Sequence, residues 1–259
     1  MSELQEAVRA RYAESALRMV KADVGGCCDD GCCSTAAGES GCGDGYSAEE
    51  LASIGLSAAA SLGCGNPTLL ADLHPGESVL DLGSGAGIDV LLSARRVSPG
   101  GHAYGVDMTD EMLSVARENQ RRSGVANASF LKGTIEALPL GDASVDVIIS
   151  NCVINLAADK GAVLREAYRV LRPDGRFAVA DMVAIEELSA DAKRRLDLWA
   201  GCIAGTISID AYTTALRDAG FRDVDIEVTR ETRLDGVEGT IASAYIRARK
   251  PAREAIAAS

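Results

Sequence analysis

Histidine is almost missing from this chain: His74 and His102 are the only two in 259 residues, and both fall in turn-like stretches. A general base is most often a histidine, so chemistry that begins by deprotonating a hydroxyl or an amine finds few candidates here. Positive charge is also in deficit. Against 38 Asp plus Glu stand 26 Lys plus Arg, a formal net charge of -12, which repels phosphate backbones and anionic lipid surfaces. Nucleic acid and membrane are therefore not expected partners. No uncharged apolar run of about 18 residues is present, and the N-terminal MSELQEAVRARYAES is charged and amphipathic rather than an apolar signal core. The expectation is a cytoplasmic protein, and the acidic surface and missing heptad add the expectation of a monomer.

What is present in quantity is cysteine, eight in all. Thiols stay reduced in the cytosol, so these point to soft-ion binding or thiol chemistry more than to a disulfide framework. Cys27, Cys28, Cys32 and Cys33 crowd the stretch GGCCDDGCCS, with Cys42 following in SGCGDG, while Cys64, Cys152 and Cys202 stand alone.

The chain is long enough for a full core without disulfides. Apolar residues recur at helical spacing from Gln5 to Val20, then Gly, Cys, Asp and Ser dominate to about Tyr46, an irregular arm. Ser47 and Glu50 form a capping box that opens a helix running to about Leu62. From ESVLDLG onward, short apolar runs alternate with helical stretches, the signature of a parallel sheet covered on both faces. RRVSPGG and LRPDGR supply the Pro and Gly of connections. Helices over Ser189 to Ala200 and Ile209 to Ala219, then strands near Val224 to Arg230 and Ile241 to Arg247, complete the pattern. The expected fold is α/β and Rossmann-like, a seven-stranded, mostly parallel sheet with an N-terminal helical, cysteine-rich arm. The expected divisions are 1–70 for the arm and its helices, 71–185 for the core, and 186–259 for the closing helices and strands.

In VLDLGSGAGID, Asp81 ends a strand and Gly83, Gly85 and Gly87 precede a helix, a tight turn that lets a ligand lie on bare backbone at a helix N-terminus. Asp107 ends the next strand, where a carboxylate takes both hydroxyls of a ribose. The dinucleotide fingerprint needs glycine at position 88, and Ile88 is there, which favours a nucleoside ligand without a pyrophosphate. The pair of motifs resembles motifs I and II of class I S-adenosylmethionine methyltransferases. That resemblance places Gly83, Gly85 and Gly87 under the methionine part of the donor, Asp107 on its ribose and Met108 beside its adenine. GTIEALPL stands where such enzymes read G-D-A-E-x-L-P. Thr134 replaces the acid, leaving backbone around Ile135 or the side chain of Glu136 to meet the adenine.

Asn151 and Cys152 follow the fourth strand, at the sheet edge where open α/β folds bind ligands. The Asn/Asp-Pro-Pro-aromatic turn of amino-group methyltransferases is absent there. Cys64, in SLGCGNP, and Cys202, in LWAGCIAG, are similarly solitary and flanked by glycine. Zinc ordinarily takes four ligands, often as paired C-x-x-C, which three isolated thiols without a nearby histidine do not provide. Thiolates select soft centres, and arsenic(III) is satisfied by three sulfurs while keeping a lone pair. That lone pair carries no proton, so its attack on a sulfonium methyl group needs no general base, only in-line positioning and exclusion of water.

The segments LGCGNP, VLDLGSGAGIDVLLSARRVSPGGHAYGVDMTDEML, IISNCVINLAADK and GCIAG together resemble the arsenite S-adenosylmethionine methyltransferases. The resemblance implies that Cys64, Cys152 and Cys202 ligate arsenic delivered as a thiol adduct, with glutathione or thioredoxin as reductant, for detoxification. Two readings of Cys27, Cys28, Cys32, Cys33 and Cys42 stay open: accessory thiols, for capture or for disulfide formation during turnover, or an arm without a role in the chemistry. Two alternatives stay open from the residues themselves: a methyltransferase of carbon, oxygen or nitrogen with structural cysteines, and a soft-metalloid binding protein on a methyltransferase fold.

Overall fold

The computed structural model describes residues 3–22, 46–55, 65–186, 188, 205–233 and 239–252. The expected helix at Ser189 to Ala200 and the end of the one expected to reach Leu62 lie outside them. Helix α1 (Glu3–Ala22) and the short α2 (Ala48–Ser53) precede the sheet. Both halves of the capping box form: Glu50 N donates to Ser47 Oγ at 3.1 Å and Ser47 N to Glu50 Oε2 at 2.8 Å. The four-residue α3 (Pro67–Leu70) leads into strand β1 (Ser78–Leu82).

Alternation then proceeds as α4 (Ile88–Arg96), β2 (His102–Asp107), α5 (Asp110–Ser123), β3 (Ala128–Lys132), β4 (Val145–Asn151), α6 (Lys160–Val170) and β5 (Leu171–Ala184). Helix α7 (Ile209–Asp218) and strands β6 (Arg222–Arg233) and β7 (Thr240–Arg249) follow. The seven strands form one sheet in the order β3-β2-β1-β4-β5-β7-β6. The first five are parallel, and β7 runs antiparallel to both β5 and β6.

Side-chain alternation along the strands builds a core on each face. Leu80 and Leu82 of β1 and Ile148 of β4 join Leu164 and Ala167 of α6 and Tyr212 and Leu216 of α7 on one side. Val79, Val147 and Ile149 point the other way, into Leu91 and Ala94 of α4 and Leu113 and Ala116 of α5. With both faces covered, the inner strands read as nearly unbroken apolar runs.

Two local expectations are corrected. LRPDGR is not a connection ahead of the strand: β5 already starts at Leu171, and pairing jumps from Val145–Leu171 to Val147–Arg176. Pro173 has no N–H to offer a ladder, and Asp174 adopts φ 65, so these residues bulge inside the strand. His102 is not in a turn but opens β2, with Nε2 2.9 Å from Ser129 Oγ on β3. Among the described residues no helix is long and apolar enough to cross a membrane.

Candidate active site

Strand order reverses between β1 and β4, and the crevice beyond the carboxyl ends of such strands is where open α/β sheets take ligands. A cavity opens there, floored by the β1–α4 turn. Gly83 N and Ser84 N donate to Val106 O at 2.8 and 3.0 Å, tying the turn to β2. Gly83 has φ +69, and a Cβ on it would lie 2.4 Å from Val153 Cγ1. Gly85 has φ +49, yet a Cβ there would meet nothing nearer than Met112 Sδ at 4.0 Å. Its open side faces the cavity, a cradle for a ligand against backbone.

Asp107 closes one end. Its Oδ2 accepts from Gly85 N at 3.0 Å, and its Oδ1 accepts from Thr109 N at 2.9 Å and Thr109 Oγ1 at 2.7 Å. These bonds fix the carboxylate's orientation and leave it acceptor capacity for a ligand. Asp81 and Asp89 are both buried beside it. Burial, then the charges of Asp89 and Asp107, hold the Asp81 carboxyl well above the usual carboxylate range. Asp89 is pushed up to about 6, chiefly by burial, with hydrogen bonds from Tyr46 and Asn151 pulling it back. Clustered acids that resist ionisation together are relieved by a cation. A nucleoside bearing a sulfonium and an ammonium group fits this floor in shape and in charge.

Ten positions singled out from the sequence come together here: Asp81, Gly83, Gly85, Gly87, Asp107, Met108, Thr134, Ile135, Glu136 and Asn151 all line the cavity. Sequence reasoning missed Tyr46 and Asp89, and it gave no role to Gln5, Val8 and Tyr12 of α1, which line it too. Gln5 Nε2 donates to Glu136 Oε1 at 3.4 Å, and Val8 packs in a cluster with Cys152, Leu156, Tyr12, Met108 and Met182. Helix α1 thus roofs the cavity.

Cys152 is 6% exposed and holds φ 60, a left-handed conformation costly for any residue with a Cβ. Its N–H donates to Ala180 O at 2.8 Å, and its sulfur is disulfide-bonded. Cys27, Cys28, Cys32, Cys33, Cys42, Cys64 and Cys202 lie outside the described residues. Asn151 Nδ2 donates to Tyr46 Oη at 2.9 Å and to Gly65 O at 2.7 Å. Tyr46 Oη in turn donates to the Asp89 carboxylate, 2.8 Å from Oδ1 and 2.9 Å from Oδ2.

The chain matches the family model of the methyltransferase domain over residues 73–220. It is 44% identical to the arsenite methyltransferase of Halobacterium salinarum, over 97% of this chain and 68% of that protein. The arsenite methyltransferase of Aquipseudomonas alcaligenes is 43% identical over 62% of this chain, which spans 48% of that longer protein. Among solved structures, an arsenic(III) S-adenosylmethionine methyltransferase from Chlamydomonas reinhardtii superposes with TM-score 0.64 at 34% identity, covering 73% of this chain and 68% of that one. On the sheet order, the acid-lined glycine cradle and these matches, the chain belongs to the arsenite methyltransferase family of S-adenosylmethionine-dependent methyltransferases.

Proposed function

We propose that the protein methylates trivalent arsenic with S-adenosylmethionine as donor, the arsenic being held by the thiolates of Cys64, Cys152 and Cys202. The observation that carries this reading is the direct contact between the donor cradle and the cysteine loop: Gly83 lies against Val153, the residue after Cys152. The donor, when bound, supplies an electrophilic methyl carbon on a sulfonium. Asp81 and Asp89 offset its positive charge, Asp107 orients its ribose, and the bare backbone at Gly85 lets it lie close. Cys152 directly follows β4, next in sequence to the Val153 that meets the cradle, and it packs with Val8 and Leu156, which keep water away. Arsenic donates its lone pair to the methyl carbon as the carbon–sulfur bond breaks, so no side chain has to remove a proton. Positioning and desolvation then account for most of the acceleration.

The disulfide at Cys152 supports a further requirement. An oxidised sulfur cannot ligate arsenic, so a thiol reductant such as glutathione or thioredoxin returns the site to its ligating form. Cys27, Cys28, Cys32, Cys33 and Cys42 act on this reading as accessory thiols that capture arsenic or exchange with the site during turnover.

Purified protein incubated with arsenite, S-adenosylmethionine and a thiol, followed by arsenic speciation, is expected to yield methylated arsenicals. Absence of methylated product under reducing conditions overturns the proposal. Cys152→Ser and Cys202→Ser are each expected to abolish the first methylation, because one lost soft ligand loosens the metalloid. Wild-type rate in either variant removes that cysteine from the ligand set.

A further inference from the structure

Tyr46 belongs to no motif, yet its hydroxyl is the midpoint of a hydrogen-bonded chain that leaves the donor cavity at one end and reaches the cysteine segments at the other. Asp89, in the first turn of α4, lines the cavity. Its carboxylate accepts a hydrogen bond from Tyr46 Oη, Tyr46 Oη accepts from Asn151 Nδ2, and the same nitrogen donates to Gly65 O at 2.7 Å. One residue along the chain from the two ends of this last bond stand Cys64 and Cys152. We propose that Tyr46 is a positioning residue that couples a cation in the donor cavity to the spacing of the two cysteine segments, so that donor and arsenic bind cooperatively.

The physical argument has two parts. Asp89 faces the acids Asp81 on β1 and Glu50 on α2, and the guanidinium of Arg96 on α4, while Asp81 in turn feels Asp107 on β2. A cation entering the cavity favours the ionised form of Asp89. An ionised carboxylate is the stronger acceptor for the Tyr46 proton, and a phenol that donates more strongly accepts more strongly from Asn151.

The second part concerns Gly65, which is braced from behind. A Cβ on it would lie 2.9 Å from Ala180 Cβ and 3.1 Å from Tyr245 Cε1. The segment therefore has no room to move into the sheet, and the Asn151 amide restrains it from moving away. Strengthening that one bond narrows the positions open to Gly65 itself.

This inference rests on the arsenic-methylating reading above, and one experiment separates the two. Arsenite binding to the fully reduced protein is measured by equilibrium dialysis with mass-spectrometric counting of arsenic, with and without saturating sinefungin, an unreactive cationic analogue of the donor. The expected wild-type result is arsenite binding tightened at least about fivefold by sinefungin, the lower end of ordinary coupling between sites. In Tyr46→Phe, which removes only the hydroxyl, the ratio is expected to fall to about one, with arsenite affinity in the absence of sinefungin within about threefold of wild type. Asp89→Asn, which keeps a similar shape without the charge, is expected to lose the coupling as well. Equal wild-type affinity with and without sinefungin overturns the coupling. Full coupling in Tyr46→Phe or in Asp89→Asn overturns the route through Tyr46. No arsenite binding by wild type under any condition overturns the functional reading and the inference together.

Discussion

At residue 83 the missing side chain is a requirement of two kinds. The backbone sits at φ +69, and the space a Cβ would fill is already taken by Val153. Gly83→Ala therefore costs roughly 1 kcal/mol or more in backbone conformation and also displaces the loop that carries Cys152. We expect donor affinity, measured by isothermal titration, to fall about tenfold or more; a variant that binds the donor as wild type does would show that the cradle tolerates the shift. Gly83, Gly85 and Asp107 were legible in the sequence because their spacing encodes a turn and a strand end, both local properties. Tyr46 and Asp89 were not, because their meaning lies in bonds spanning 43 and 105 residues of chain. No periodicity or motif announces such pairs.

Among the elements, α1 shows how a segment that looked like ordinary packing becomes part of a site. Its periodicity was visible from Gln5 onward, but the partner of its apolar face was not, since that face meets Cys152, Leu156 and Met108 from far along the chain. Val8 is 2% exposed. Val8→Asp forces an unpaired carboxylate into that cluster, a cost of several kcal/mol that lifting the helix avoids. The expected outcome is loss of amide-exchange protection over residues 5–17 together with about tenfold weaker donor binding. Retained protection would mean that the helix is held elsewhere. Strand β5 teaches the opposite lesson. Pro173 and Gly175 were correct signals of irregular backbone, but the sheet absorbs the irregularity as a bulge and pairs on both sides of it.

For the molecule as a whole, the strand and helix alternation was enough to foresee a seven-stranded, mostly parallel sheet with helices on both faces. The strand order that creates the crevice came only with the structure, because order is decided by how distant strands pair. The buried acids give the whole molecule a pH signature. Asp89 is raised to about 6 and Asp181, buried at the end of β5, to about 7, both mainly through burial. Asp81 is raised by burial and by its acidic neighbours. An acid whose folded pKa is raised favours the folded state at low pH and loses that contribution as pH climbs through the folded value. Glu77 and Glu166, lowered by Arg176 and Arg169 against the opposing effect of burial, lose their contribution only in more acid solution. His102, lowered by partial burial, acts in the opposite sense near neutrality, but it is a single ring against three carboxyls. The melting temperature of the ligand-free protein is therefore expected to fall between about pH 5 and pH 7, and stabilisation by sinefungin to grow over the same interval. A flat or rising profile without ligand would mean that these acids are solvated in solution. The contact of Gly83 with Val153 has one more consequence, for divergence rather than for chemistry. A larger residue at 83 is admissible only if 153 shrinks at the same time, and a smaller residue at 153 opens a gap beneath the donor. The two positions, seventy residues apart, can drift only as a pair, so sequence change at one of them among relatives should be answered at the other.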